Sequence, residues 1–227
     1  MDFKEIKTEA KQKIKGNLWE VWKVIIIVAI ISSIINVIVE KIFGKSTIVY
    51  FDKTAKTISE MLSSMKVVYN YPSMICSYLF GLLVVPAQVG INLYMLNFIR
   101  EKEYSLEDLK KLYPKIGILI AINILITVAV FCGSLLFVIP GIILSFAYSM
   151  AFYIFADNPD IGIIDCLKKS REMMKGYKFD YFAFCLSFIG WILLCILIVP
   201  IIWVVPYIQT ATTIYYDKLQ KNQKFNK

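Results

Sequence analysis

Residues 137–191 read F-V-I-P-G-I-I-L-S-F-A-Y-S-M-A-F-Y-I-F-A-D-N-P-D-I-G-I-I-D-C-L-K-K-S-R-E-M-M-K-G-Y-K-F-D-Y-F-A-F-C-L-S-F-I-G-W. In order they give a tight apolar turn, an apolar helix, a basic helix and the start of another apolar run. The tract they belong to is decisive: residues 116–156 form 41 consecutive positions without Asp, Glu, Lys or Arg. As one helix this tract would be about 62 Å long, twice the roughly 30 Å hydrocarbon core of a bilayer. It has to fold back. Pro140-Gly141 is the only strong breaker placed to leave two spans, 116–139 and 141–156.

The same reasoning extends outward. Residues 181–216 are 36 positions free of charge, again too long for one crossing, and Pro200 divides them into 181–199 and 201–216. Residues 67–99 are another 33, read as a crossing over 73–99 in which Pro86 removes a backbone donor and frees the carbonyl of Leu82. Gly81 and Gly90 on that crossing allow a neighbour to approach closely. Near the start, residues 18–39 form a first crossing with Trp19 and Trp22 at headgroup level. This apolar run ends at Glu40-Lys41 with no small-residue cleavage pattern, so it is not read as a signal peptide. The fold class is therefore all-α: a single polytopic transmembrane helical bundle spanning residues 1–227, with six crossings arranged partly as hairpins.

Between the crossings lie basic helical pieces. Residues 2–15 place Phe3, Ile6, Ala10 and Ile14 on one stripe between lysines, which suits a helix lying in the membrane interface. Gly16 is expected to end it. Residues 104–113 carry the capping pattern S-L-E-D from Ser105. Residues 159–175 begin after Asp157-Asn158-Pro159, with a cap, a first-turn proline and acid at the positive helix end. Their apolar stripe is Ile163, Ile164, Leu167 and Met174, and Gly176 closes the helix. Lys168, Lys169, Arg171 and Lys175 are the candidate contacts to anionic headgroups. The long polar connection over 40–72 is expected to rest on the outer surface through Ile58, Met61, Leu62 and Met65.

Topology follows from Lys and Arg counts, since cytoplasmic loops are enriched in them. Segments 1–23, 100–115, 157–180 and 217–227 hold 6, 5, 5 and 4, while 40–72 holds 5 and dissents. Six crossings with both termini in the cytoplasm fit best. The +8 net charge is assigned to these flanks and not to nucleic acid. Three stretches also resemble one another: V-V-P-A-Q-V-G-I-N-L-Y at 84–94, V-I-P-G-I-I-L-S-F-A-Y at 138–148 and I-V-P-I-I-W-V-V-P-Y at 198–207. They suggest a threefold repeat of interfacial helix and paired crossings.

The strings L-L-F-V-I-P-G-I, Y-S-M-A-F-Y-I-F-A-D-N-P, K-K-S-R-E-M-M-K-G-Y-K and L-S-F-I-G-W, with K-I-K-G-N-L-W early and Y-Y-D-K-L late, resemble the bacterial membrane family called domain of unknown function 975. The resemblance runs from Lys11 to Leu219 outside the long connection. It departs after Cys195, where I-V-P stands in place of a glycine-rich turn. It implies a multi-pass protein of the bacterial cell membrane and supplies no catalytic residues.

Chemistry is sparse. The chain has no histidine, and its five cysteines are widely spaced, so zinc-type sites lack ligands. Acids and bases are kept out of the crossings, which leaves no paired carboxylates or activated nucleophile. No enzyme activity and no cofactor are expected. Polar residues inside the spans include Gln88, Asn92 and Asn123; Gln88 and Asn92 share a helix face just after Pro86. Two functions follow. One is a non-catalytic membrane scaffold that binds lipid or a partner, either a membrane protein or a second copy; the other is a permease-like or transport-accessory role for a small solute or lipid.

Overall fold

The computed structural model describes residues 1–50 and 57–225, so part of the 40–72 connection and the end of the lysine tail lie outside the described residues, as does the side chain of Met61. Twelve α-helices occur among the described residues: α1 Phe3–Ile14, α2 Leu18–Phe43, α3 Ile58–Ser63, α4 Tyr71–Gly81, α5 Val85–Ile99, α6 Ile116–Leu136, α7 Val138–Tyr148, α8 Ala151–Asp157, α9 Ile163–Met173, α10 Lys178–Leu186, α11 Ile189–Leu194 and α12 Ile201–Phe225. Five segments are long and apolar enough to cross a membrane: Leu18–Phe43, Tyr71–Ile99, Leu106–Leu135, Val138–Asp157 and Lys178–Leu197. Their outward side chains, such as Ile34, Phe131, Leu135 and Ile196, are exposed. Water does not tolerate apolar surface on this scale, whereas lipid does.

The sixth expected crossing, 201–216, is not among them. Gln209, Thr210, Thr212 and Thr213 dilute the apolarity of α12. Its apolar face is instead covered by protein, because α12 packs on α1, α5 and α9, burying Ala211, Ile214, Tyr215 and Tyr216. The expected break before it is present: the chain turns over residues 198–200, with Ile198 at φ +64.

The chain divides into two compact units. The smaller, Ile27–Val84, contains an antiparallel ribbon that the sequence reading omitted, β1 (Thr47–Tyr50) against β2 (Lys66–Tyr69), with Thr47 opposite Tyr69 and Tyr50 opposite Lys66. Apart from Lys66, T-I-V-Y and K-V-V-Y are β-branched and aromatic, which suits a pleated pair. Asn70 closes this unit. Its Oδ1 accepts from the Ser73 N–H at 3.3 Å while its Nδ2 donates to the Phe43 carbonyl at 2.7 Å. Ile58, Leu62 and Met65 are exposed, as a surface-resting face requires.

The larger unit, Met1–Ile26 with Val85–Lys227, is built around the α6–α7 hairpin and α12. The hairpin turns at Phe137, three residues before the expected Pro140-Gly141 break; Phe137 is extended, at φ −159 and ψ 150. Pro140 is the third residue of α7. There its missing donor costs nothing, because first-turn N–H groups have no intrahelical partner. Gly141 works by proximity: a Cβ there would lie 2.0 Å from Ser134 Oγ and 3.0 Å from Ser134 Cα. Pro86 likewise stands second in α5, after a 3-10 turn at Leu82–Val84, and Pro200 directly precedes α12. All three repeat-like stretches therefore put their first proline at a helix start, while the second proline of the third stretch, Pro206, lies inside α12.

Two further expectations change in detail. The helix over 104–113 is replaced by 3-10 turns at Leu106–Leu109 and Tyr113–Lys115. The first sits directly on Gly90, where a Cβ would come within 2.6 Å of Leu109 Cα, whereas Gly81 has nothing within 4 Å. The Ser105 cap is present, its N–H donating to Asp108 Oδ2 at 3.2 Å. Helix α9 starts at Ile163 with Gly162 as cap, so Asp157-Asn158-Pro159 ends α8 and does not start α9. Its buried stripe is Cys166, Ser170 and Met173, leaving Ile164 56% exposed. The side-chain hydroxyl of Ser170 and the thiol of Cys166 donate to the Ala147 and Ala151 carbonyls, at 3.0 and 3.2 Å, which draws that face inward. Gly16 and Gly176 take φ +84 and +82, the left-handed conformation expected of helix-ending glycines.

Candidate functional site

A charged node ties the ends of two helices to the flank of a third. Arg100, one residue past α5, donates from Nη1 to Asp157 Oδ1 at 2.5 Å and from Nε to Asp217 Oδ1 at 2.6 Å. Asp157 is the last residue of α8, and Asp217 lies in the polar half of α12. Gln220 bridges the pair, accepting from Arg100 Nη2 at 2.9 Å and donating to Asp157 Oδ2 at 2.5 Å, while Lys221 pairs with Asp217 at 2.7 Å. Two cations and two anions balance. A carboxylate at the negative end of α8 is unfavourable by itself, and the guanidinium reverses that. Asp157, expected to cap α9, is thus a clamp between helices.

A second cluster is built on α1, whose side chains sort into three stripes. Ile6, Ala10 and Ile14 are buried, and α1 packs on α12. The stripe expected to lie in lipid is therefore covered by the chain itself. Glu5 and Glu9 clasp Lys218 at 2.8 and 2.9 Å. Burial opposes the charge on Lys218, but the two carboxylates outweigh it and hold its pKa above the ordinary lysine value. Lys7 and Lys11, four residues apart, form the third stripe and face aromatic residues of the α10–α12 segment, and Lys15 follows as the extended C-cap of α1. Lys7 donates to the Ser187 carbonyl at 2.9 Å and stands 4.6 Å from the Phe188 ring centroid. Burial, then repulsion from Lys11, lowers its pKa. Lys11 sits 5.5 Å from the Trp191 ring and 5.7 Å from the Tyr207 ring.

Below these lysines opens a hollow of about 450 Å³ lined by Lys11, Lys15, Leu18, Trp191, Trp203 and Tyr207 among others. A second hollow of about 590 Å³ shares Gly16 and Leu18 with it and continues along Trp19, Trp22 and Ile202. Trp22 Nε1 donates to the Ile202 carbonyl at 2.8 Å, fixing one wall. All four tryptophans of the chain therefore line one groove.

The residues singled out from the sequence are scattered. Gln88 is exposed, Asn92 and Asn123 are half-buried, and none of the three side chains makes a hydrogen bond among the described residues. Lys168, Lys169 and Arg171 on α9, and Lys175 two residues past its end, are all exposed, without an ion pair among the described residues. The node and the groove went unread, although signals existed. Lys7, Lys11 and Lys15 recur every four residues, and Arg100, Asp157 and Asp217 each stand where an apolar run ends. Among the described residues no three His, Cys, Asp or Glu side chains converge as metal ligands would.

Five apolar segments, a charged clamp at their ends and an aromatic groove topped by lysines define a polytopic helical protein of the membrane-spanning class. A family model described as "Protein of unknown function (DUF975)" matches residues 1–223, and the chain belongs to that family. No curated protein and no solved structure matches it.

Proposed function

We propose that this protein is a non-enzymatic scaffold of the bacterial cytoplasmic membrane that binds anionic lipid headgroups through its basic helices, with α12 as a protein-covered sixth crossing that brings both termini to the cytoplasmic side. One observation carries the reading: Lys168, Lys169 and Arg171 on α9, with Lys175 just past its end, are exposed with no acidic partner among the described residues. Each basic residue near an anionic surface adds about 1 kcal/mol of attraction. A shared compartment for the termini draws support from Lys218, whose pairing with Glu5 and Glu9 joins the first helix to the last. Ion pairs of this kind belong in water or headgroups.

Hydrogen exchange of α9 in nanodiscs tests the proposal. Phosphatidylglycerol is expected to slow exchange over Ile163–Met173 relative to phosphatidylcholine, and changing all four basic residues to Gln is expected to erase the difference. Equal exchange in both lipids contradicts headgroup binding. A second reading, passage of a small solute or lipid, draws on Gln88, a polar side chain exposed within an apolar segment. It requires a flux in proteoliposomes that Gln88→Leu/Asn92→Leu abolishes.

A further inference from the structure

We propose that the tryptophan-lined groove between α1, the start of α2, α11 and α12 is a binding site for one anionic phospholipid, its phosphate held by Lys11 and Lys15 and its acyl chain laid along Leu18, Trp203 and Trp22. This deepens the scaffold reading and rests on it, but it concerns a different part of the chain from α9.

Charge selects the occupant. The cations of α1 divide by what they touch: Lys13 is taken by Glu101 at 2.6 Å, and Lys7 is held by the Ser187 carbonyl. Lys11 and Lys15 have no acidic partner among the described residues. Both line the first hollow, of about 450 Å³, and its other walls are mostly aromatic and aliphatic. Two cations above an apolar slot match an anion carrying a hydrocarbon tail, and they match neither a neutral solute nor an acidic peptide. Tryptophan supplies the second argument. Indole prefers the level between headgroups and acyl chains, and this groove holds all four indoles of the chain. Trp191, Trp203 and Trp19 each keep an exposed face there, so the slot opens sideways to lipid. The two hollows meet at Gly16 and Leu18 and together run from the lysines to Trp22 and Ile26, a path suited to a chain longer than either hollow alone.

The test uses the full-length chain in nanodiscs and its own tryptophans. The four native tryptophans, which line the two hollows, report on the groove. Phosphatidylglycerol with brominated acyl chains is titrated into phosphatidylcholine, and in a parallel series the brominated lipid is phosphatidylcholine. Two lysines at about 1 kcal/mol, or roughly fivefold, each put half-maximal quenching by the anionic lipid at about 30-fold lower mole fraction, with saturation. Lys11→Gln/Lys15→Gln is expected to remove the preference, leaving quenching by the two lipids equal. The α9 quadruple Gln variant is expected to keep it. Equal quenching in the parent, or a preference that survives Lys11→Gln/Lys15→Gln, overturns the site. A preference lost only in the α9 variant overturns it as well while leaving the scaffold reading intact.

Discussion

Arg100 joins two carboxylates on different helices, so its removal is felt at both. Its side chain is 17% exposed and contacts two carboxylates, Asp157 at 2.5 Å and Asp217 at 2.6 Å. Removing one partner of a buried pair costs about 3–5 kcal/mol, because the remaining charge is left uncompensated. Partial exposure of Asp157 screens the orphan and brings the expected loss for Arg100→Ala to about 2–3 kcal/mol. The two carboxylates do not suffer equally. Asp217 keeps the Lys221 ammonium at 2.7 Å, whereas Asp157 keeps the neutral Gln220 amide and Tyr216 hydroxyl, with Lys102 acting on it only through its field. The damage therefore resides mainly at Asp157, and the double variant Arg100→Met/Asp157→Asn is expected to recover most of it, to within about 1 kcal/mol of the parent. Unfolding by SDS in mixed micelles, followed by tryptophan fluorescence, measures all three proteins. If Arg100→Ala matches the parent, or the double variant is no more stable than Arg100→Ala, the node is not the clamp described above.

Two other predictions probe the packing. Gly141→Ala places a methyl on Ser134, at 2.0 Å from its Oγ, and is expected to cost about 1–3 kcal/mol in the same assay, with Ser134→Gly restoring part of the loss. Burial pushes the Cys166 thiol up to about 11, with Lys169 opposing, and its Sγ donates to the Ala151 carbonyl at 3.2 Å. N-ethylmaleimide at pH 7.5 is therefore expected to spare Cys166 in the folded protein and modify it after unfolding. Peptide mass spectrometry reads the site, and rapid modification of Cys166 in the native state contradicts the packing of α9.

Apolar tracts too long for one span made the helical hairpins legible, and Pro140 and Pro200 located both turns to within a few residues. What the sequence hid was which surfaces meet. Ile6, Ala10 and Ile14 form a stripe that suits lipid and protein equally well, and only the α1–α12 packing shows that protein covers it. Period alone also misled the reading of α9. Its isoleucines look like the buried face, yet Cys166 and Ser170 are small enough to sit close to α7 and α8 and bond their carbonyls. Asp157 carried the right chemistry for a helix cap. Its actual partner, Arg100, is 57 positions away, beyond the reach of local spacing. The ribbon over 47–69 was lost because a polar connection between apolar runs reads as surface before its two Val-Tyr pairs are compared.

Sidedness of the two termini tests the account most directly, since the clasp of Lys218 by Glu5 and Glu9 requires the first and last helices to end in one compartment. Thr8→Cys and Asn222→Cys, placed singly in a cysteine-free background, are labelled with a membrane-impermeant maleimide in intact cells and in inside-out vesicles. Protection of both in cells and labelling of both in vesicles is the predicted result. If one site labels in cells while the other labels only in vesicles, the clasp does not form in the membrane, and the arrangement of α1 on α12 is wrong.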